Sequence, residues 1–181
     1  RRLSALGAPG LSVTGNLKYS ARPLPCDEDA LKTLKTALSG RPIWVYASTH
    51  AGEEALACRI HSRLKQTLPN LLSVIVPRHP DRGPAIEALC RDDFGLNTCR
   101  RTDVHALPAA TDDIYIADTL GELGLFYRLC RLSVIGRSFS DDGGGGHNPI
   151  EAAQLDCAVL SGPFVQYQQE IFDDMGTAGA A

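Results

Sequence analysis

The sequence has no long apolar run, no block of like charge and no paired-cysteine motif. Each absence removes a class of protein. Its longest uninterrupted apolar stretches fall far short of the ~20 residues that a membrane-spanning helix needs. Eighteen Lys and Arg against 21 Asp and Glu leave a formal net charge of −3, without the basic stripe that nucleic-acid binding calls for. The six cysteines (Cys26, Cys58, Cys90, Cys99, Cys130 and Cys157) are scattered, with no C-x-x-C pair. Most fall inside apolar patterns, which points to buried free thiols in a reducing compartment rather than disulfides or zinc ligands. No secretory signal opens the chain, and the cytoplasm is the expected compartment. Several catalytic motifs are also missing. There is no G-x-x-x-x-G-K-[ST], and no G-x-G-x-x-G follows the first strand pattern. Ser48 stands outside a G-x-S-x-G elbow, and the histidines lack H-E-x-x-H spacing, so metal catalysis has no support.

What is present describes one globular domain. The chain has 181 residues, 44% apolar and 22% charged, enough for a real core. It starts Arg1-Arg2-Leu3 and stops in Gly176-Thr177-Ala178-Gly179-Ala180-Ala181, which reads as a domain excised from a longer protein. The first quarter is connecting sequence followed by a helix. Ala8-Pro9-Gly10 reads as a turn and Leu11–Thr14 as a short strand. Asp27 caps a helix whose Leu31, Leu34 and Leu38 share a face, and Gly40 stops it. Strands and helices then alternate. Strands are expected at Ile43–Ala47, Leu71–Val76, Leu96–Arg100, Ile114–Ala117, Leu132–Gly136 and Ala158–Leu160. Helices are expected at Gly52–Leu68 (Ala55, Leu56, Ile60 and Leu64 inward), Pro84–Arg91, Leu120–Cys130, Pro149–Leu155 and Gln166–Met175. Continuously apolar strands belong in a sheet covered on both faces. The pattern therefore specifies an α/β, Rossmann-like parallel sheet with helices on both faces.

In such sheets ligands bind at the carboxyl ends of the strands. Four post-strand loops carry dense polar residues: Ser48-Thr49-His50-Ala51-Gly52-Glu53-Glu54, Pro77–Arg82 with Arg78 and His79, Asp118-Thr119-Leu120-Gly121-Glu122-Leu123, and Arg137–Glu151. Each has a bland reading beside the functional one. Ser48 or Thr49, taken alone, reads first as a helix cap, with Glu53 and Glu54 complementing the dipole. Arg78 and His79 form either a solvated turn or an anion contact. Asp118-Thr119 and Glu122 also fit a helix start. His61 and His105 read as surface residues without a role. The Gly143–Gly146 run is the strongest signal. It leads into His147, then Asn148 as N-cap, Pro149 at the first helical position and Glu151 at the third. A glycine loop on a helix N-terminus offers N–H groups to an anion, and four consecutive glycines exceed what a rigid turn needs.

Five segments in this order resemble a known family: Thr14–Tyr19, Ala47–Glu54, Val76–Pro80, Asp118–Tyr127 and Gly145–Glu151. Together they are similar to the C-terminal domain of the 3-deoxy-D-manno-octulosonic acid (Kdo) transferases, and the resemblance spans nearly the whole chain. It implies the C-terminal half of a GT-B glycosyltransferase, with residues 1–25 as interdomain connector and 26–181 as the nucleotide-sugar domain, cut at both ends. The implied function is the donor part of an inverting, metal-independent transfer of Kdo from CMP-Kdo to a lipid A precursor in lipopolysaccharide biosynthesis. The implied location is the cytoplasmic face of the bacterial inner membrane, with membrane association only through the missing part. No cofactor is implied beyond the donor substrate, no metal, and no nucleic acid partner. The acceptor and the catalytic base would belong to an absent N-terminal domain, so no catalytic residue is expected here. By the resemblance the donor-binding residues are Ser48, Thr49, His50, Arg78, Gly121, Glu122, Gly145, Gly146, His147, Asn148 and Glu151. Another nucleotide-sugar enzyme of this architecture, such as an epimerase, and a non-catalytic anion-binding module are the alternatives. The sequence departs from the family at Gly136-Arg137-Ser138, where a small residue usually replaces the arginine. It also carries Asp141 and Asp142 in the following loop, unfavourable beside an anion.

Overall fold

A computed structural model describes residues 2–12, 15–103, 107–140 and 143–179. After a single turn of helix, α1 (Arg2–Ala5), a 3₁₀ turn at Leu17–Ser20 leads to α2 (Glu28–Ala37). The chain then runs β1 (Ile43–Thr49), α3 (Glu53–Leu64), β2 (Leu72–Pro77), α4 (Gly83–Ala88) and β3 (Thr98–Arg100). It continues through β4 (Ile114–Ile116), α5 (Leu123–Leu129), β5 (Leu132–Ile135), α6 (Ile150–Ala153), β6 (Ala158–Leu160) and α7 (Gln169–Thr177). The six strands form one parallel sheet in the order β3-β4-β2-β1-β5-β6. One row across it reads Cys99, Tyr115, Val74, Val45, Ser133, Val159.

From β1 the chain builds first to one side, through β2, β3 and β4, and then to the other, through β5 and β6. Right-handed crossovers place helices on opposite faces when the direction reverses. Accordingly α3 packs on β1 and β2 and α4 on β3 and β4, whereas α5 packs on α2, α6 and β1. The β1–β5 junction is the switch point, where an open α/β sheet has its crevice.

The strand expectations hold within a few residues, because a strand covered on both faces is apolar along most of its length. Tyr46, Val74, Ile75, Ile114, Tyr115 and Ile116 are fully buried. Asp27 accepts N–H bonds from Asp29 and Ala30, and Leu31, Leu34 and Leu38 are buried. Several local expectations need correction. Leu11 and Ser12 lie in no strand, and Val13 and Thr14 fall outside the described residues. The helix expected over Pro84–Arg91 is α4 followed by a π-helical turn at Leu89–Asp93. The buried face of α3 is Glu53, Glu54, Ala57, Cys58 and His61, while Ala55, Leu56 and Ile60 are half-buried and Leu64 is exposed.

That rotation of α3 explains why His61 is not a surface residue. It is fully buried, with Nδ1 2.8 Å from Ser73 Oγ on β2 and Nε2 3.4 Å from Asp113 Oδ1. A hydroxyl on the strand below lets an imidazole sit where an apolar residue was expected. His105 lies outside the described residues. The cysteines are free, all buried except the half-buried Cys26, with Cys58 and Cys90 in sulfur contact at 3.4 Å. Residues 17–25 are tied to the domain rather than hanging from it. Lys18 Nζ donates to Gln168, Tyr19 Oη to Asp174, and Arg128 to the Leu24 carbonyl.

Candidate functional site

A parallel sheet brings all four polar loops to one edge, the carboxyl ends of its strands. Only two of them flank the switch point. The loop after β1 begins with a bulge: pairing with β2 shifts register between Ala47 and Thr49, and Ser48 adopts a left-handed backbone with φ +58°. The loop after β5 begins the same way, with Arg137 at φ +58°. A non-glycine residue held there costs roughly 1–2 kcal/mol. Between the two turns sits Gly136, where a Cβ would lie 2.3 Å from the Ser48 carbonyl oxygen. No other residue fits that crossing.

Glu53, at the start of α3, ties the two loops together. It is 3% exposed. Its Oε2 accepts the N–H of His50 at 3.0 Å and of Arg137 at 2.8 Å, and Oε1 accepts those of Ser138 and Phe139 at 3.2 and 3.4 Å. A carboxylate that satisfies four backbone donors is a structural clamp, not a dipole ornament. Glu54 is equally inward. It accepts from Thr49 Oγ1 at 3.0 Å and pairs with Arg82 at 2.8 Å. Sequence periodicity missed both roles, since it assigns acidic residues in a first helical turn to the dipole. Thr49 is therefore fully buried and turned toward α3 rather than toward the cleft.

The clamp brings His50 and His147 together. Their Nε2 atoms are 2.9 Å apart and their rings stack at 5.1 Å and 18°. His79 meets His50 edge-on at 5.9 Å. A contact between two ring nitrogens needs one proton shared between them, so a second positive charge is opposed. Burial and, after it, His50, Arg78 and Arg137 press the His147 pKa down to about 4. Arg78 stands exposed beside this group, its backbone N–H donating to the Thr49 carbonyl. Arg78 and Arg137 thus give the cleft cationic charge, and burial together with their charge keeps the His147 imidazole neutral.

The glycine run differs from the expected cradle. Gly146 N–H donates to the Arg137 carbonyl and His147 N–H to the Gly136 carbonyl, so these donors are already used. Gly145 and Gly146 are buried at φ +63° and +77°, and a Cβ on Gly145 would meet the Tyr167 ring at 2.2 Å. Close packing and left-handed backbone thus require these two glycines. The helix that follows, α6, has four residues, too few for a substantial macrodipole. Pro149, not Asn148, stands at its N-cap position, while Asn148 accepts from Ile150 N–H at 3.2 Å and donates to Glu151 Oε1 at 3.2 Å. Asp141 and Asp142 fall outside the described residues.

The loop after β4 lies further along the same sheet edge. Glu122 receives both ends of the Arg101 guanidinium, at 2.7 and 3.1 Å, and the Thr119 hydroxyl. The Arg101 bond above all holds its pKa below the usual carboxylate value. Asp118 is buried and accepts the N–H and hydroxyl of Thr102. Gly121, at φ +80°, and Glu122 line a hollow with Pro25, Cys26 and Asp27, one strand beyond β2 from the histidine pair. Arg101 carried no local signal, because its partner depends on β3 lying beside β4. Among the described residues no group of three or more His, Cys, Asp and Glu is placed to hold a metal ion, and no helix is long and apolar enough to cross a membrane.

Comparison with known proteins gives a consistent set of relatives. The chain is 33% identical over 171 residues to a 3-deoxy-D-manno-octulosonic acid transferase of Rickettsia felis, covering 94% of this chain and 36% of that protein. It is 34% identical over 177 residues to the transferase of Haemophilus influenzae, covering 95% and 40%. A probable mitochondrial counterpart from Arabidopsis thaliana is 35% identical over 166 residues, covering 89% and 37%. The chain therefore spans about two fifths of the curated relatives it matches. Among solved structures, the C-terminal CMP-Kdo binding domain of WaaA from Acinetobacter baumannii superposes with a TM-score of 0.77 at 30% identity, covering 84% of this chain and 79% of that one. No family model matches the chain.

Proposed function

Because this chain belongs to the 3-deoxy-D-manno-octulosonic acid transferase family, as its C-terminal, Rossmann-like part, we propose that it holds the donor, CMP-Kdo. Its charged groups sit in the β1–β5 crevice. One observation carries the reading: His50 and His147 meet across the switch point while Arg78 stands at the same edge without an ion pair among the described residues. CMP-Kdo carries a phosphodiester and a carboxylate close together. An arginine fork and imidazole N–H donors complement both. As the glycosidic bond to CMP breaks, negative charge grows on the departing phosphate, so donors fixed on it stabilise the transition state more than the ground state.

In this reading Asn148 and Glu151 form the floor of the nucleotide site, with Glu151 facing the ribose. Gly121 and Glu122 lie further along the same edge. Thr49 acts through Glu54 and α3 rather than by contact. Kdo passes to a lipid A precursor, whose site and whose catalytic base belong to sequence beyond this chain. The chain alone is therefore expected to bind donor without transferring sugar.

Calorimetric titration with CMP, CMP-Kdo and a UDP-sugar tests the reading. We expect the cytidine ligands to bind and the UDP-sugar to bind far more weakly. Arg78→Ala is expected to weaken CMP by about tenfold, the loss of one charge-assisted contact. Preference for the UDP-sugar would instead assign a different nucleotide-sugar enzyme, and binding of inorganic anions alone an anion-binding module.

A further inference from the structure

Arg137 occupies a backbone position that suits glycine, and among the described residues its side chain makes no ion pair and its Nε no hydrogen bond. Its N–H is held by Glu53 and its carbonyl by the N–H of Gly146, so the turn is fixed from two directions through main-chain atoms only. A glycine would keep both bonds and remove the strain of φ +58°. The side chain is not spent on packing against a carboxylate either. Arg82, Arg100 and Arg101, near the same sheet edge, pair with Glu54, with Glu87, Asp103 and Asp118, and with Glu122. Arg137 has no ion pair among the described residues, and its Nε is buried without a hydrogen-bond partner. A buried guanidinium N–H lacking an acceptor is unfavourable until something supplies one. Its charge, with that of Arg78, reaches His147 across the crevice.

We propose that Arg137 is a second oxyanion-binding residue of this crevice, taking a phosphate or carboxylate oxygen on its buried Nε edge while Arg78 engages the ligand from the exposed side. The inference rests on the donor reading for the identity of the ligand, but not for the presence of an anion. An oxyanion answers the unpartnered Nε–H with the planar, two-point geometry that a guanidinium matches and an ammonium does not. The strained turn is then retained because it aims that edge inward.

The test uses the intact chain and its Arg137→Gly and Arg137→Lys variants, titrated with CMP, cytidine, free Kdo and inorganic phosphate. Thermal melting of each ligand-free variant runs alongside. Arg137→Gly is expected to melt no lower than the parent, yet to lose about tenfold in affinity for CMP if the oxygen is a phosphate's, or for Kdo if it is a carboxylate's. Cytidine affinity should not change. Arg137→Lys keeps the charge and loses the Nε edge, and is expected to recover only part of the loss. Affinities for CMP, Kdo and phosphate within twofold of the parent in both variants would overturn the proposal. Phosphate binding that depends on Arg137, in a chain that binds neither CMP nor cytidine, would sustain the proposal and refute the donor reading.

Discussion

Replacing Glu53 by Gln removes one acceptor oxygen and puts an amide NH₂ in its place. Whichever oxygen is lost, two backbone donors face another donor: those of His50 and Arg137 on one side, or those of Ser138 and Phe139 on the other. A buried donor left unsatisfied costs about 1–3 kcal/mol, more when its former partner was charged. Two of them give about 2–6 kcal/mol. The donors of His50 and Arg137 are only partly buried, so the lower half applies, about 3 kcal/mol. For a domain of this size 1 kcal/mol moves the melting temperature by about 2–4 °C, so Glu53→Gln should melt about 6–12 °C below the parent. Differential scanning calorimetry reads this directly, and urea unfolding at an unchanged m-value confirms that the folded state was affected. Glu170→Gln on the exposed face of α7 serves as the control, with an expected shift inside about 2 °C. A Glu53→Gln protein that melts within about 2 °C of the parent would refute the clamp.

Other perturbations separate packing from site chemistry. Gly136→Ala drives a Cβ to 2.3 Å from the Ser48 carbonyl, where backbone must move on both strands, and should cost about 3 kcal/mol or more in urea unfolding. Gly176→Ala in α7 meets nothing within 4 Å and should stabilise by about 0.5–1 kcal/mol in the same assay. His147 has its folded pKa depressed to about 4 from 6.5, so the unfolded chain binds more protons between those values. Its contribution is complete above pH 6.5 and declines as the pH falls toward 4, and His147→Gln should flatten that part of the stability–pH curve. An anion in the crevice offsets the charges of Arg78 and Arg137 and raises the same pKa. CMP binding at pH 5.5 should therefore take up a fraction of a proton, visible as a buffer-dependent calorimetric enthalpy.

The alternation of strands and helices was readable because strands buried on both faces are apolar along most of their length, with only isolated hydroxyls such as Ser73 and Ser133 inside them. Ala158–Leu160 emerges with the expected bounds, and β1 begins at Ile43 as expected. The crevice followed from the topology, which gathers every post-strand loop at one edge. Interior polarity was not readable. Glu53, Glu54 and His61 look like surface residues to any periodicity argument, because their partners come from remote strands and loops: Arg137–Phe139, Arg82, Ser73 and Asp113. Likewise the strand order β3-β4-β2 decides that Arg101 reaches Glu122, and no local pattern encodes strand order. The glycine run misled in an informative way. Its length suggested open donors, whereas Gly145 and Gly146 are small so that Tyr167 and Val165 can pack over them.

The central claim is that a cytidine nucleotide sits at the β1–β5 switch point. Amide chemical-shift mapping of the intact chain during CMP titration tests it most directly. Saturable shifts are expected to concentrate at His50–Glu53, Arg78–His79, Arg137–Ser138 and Gly146–Glu151, with the α4–β3 region near Glu87 and Arg91 unmoved. Saturable shifts centred elsewhere, or none at millimolar CMP, would contradict it.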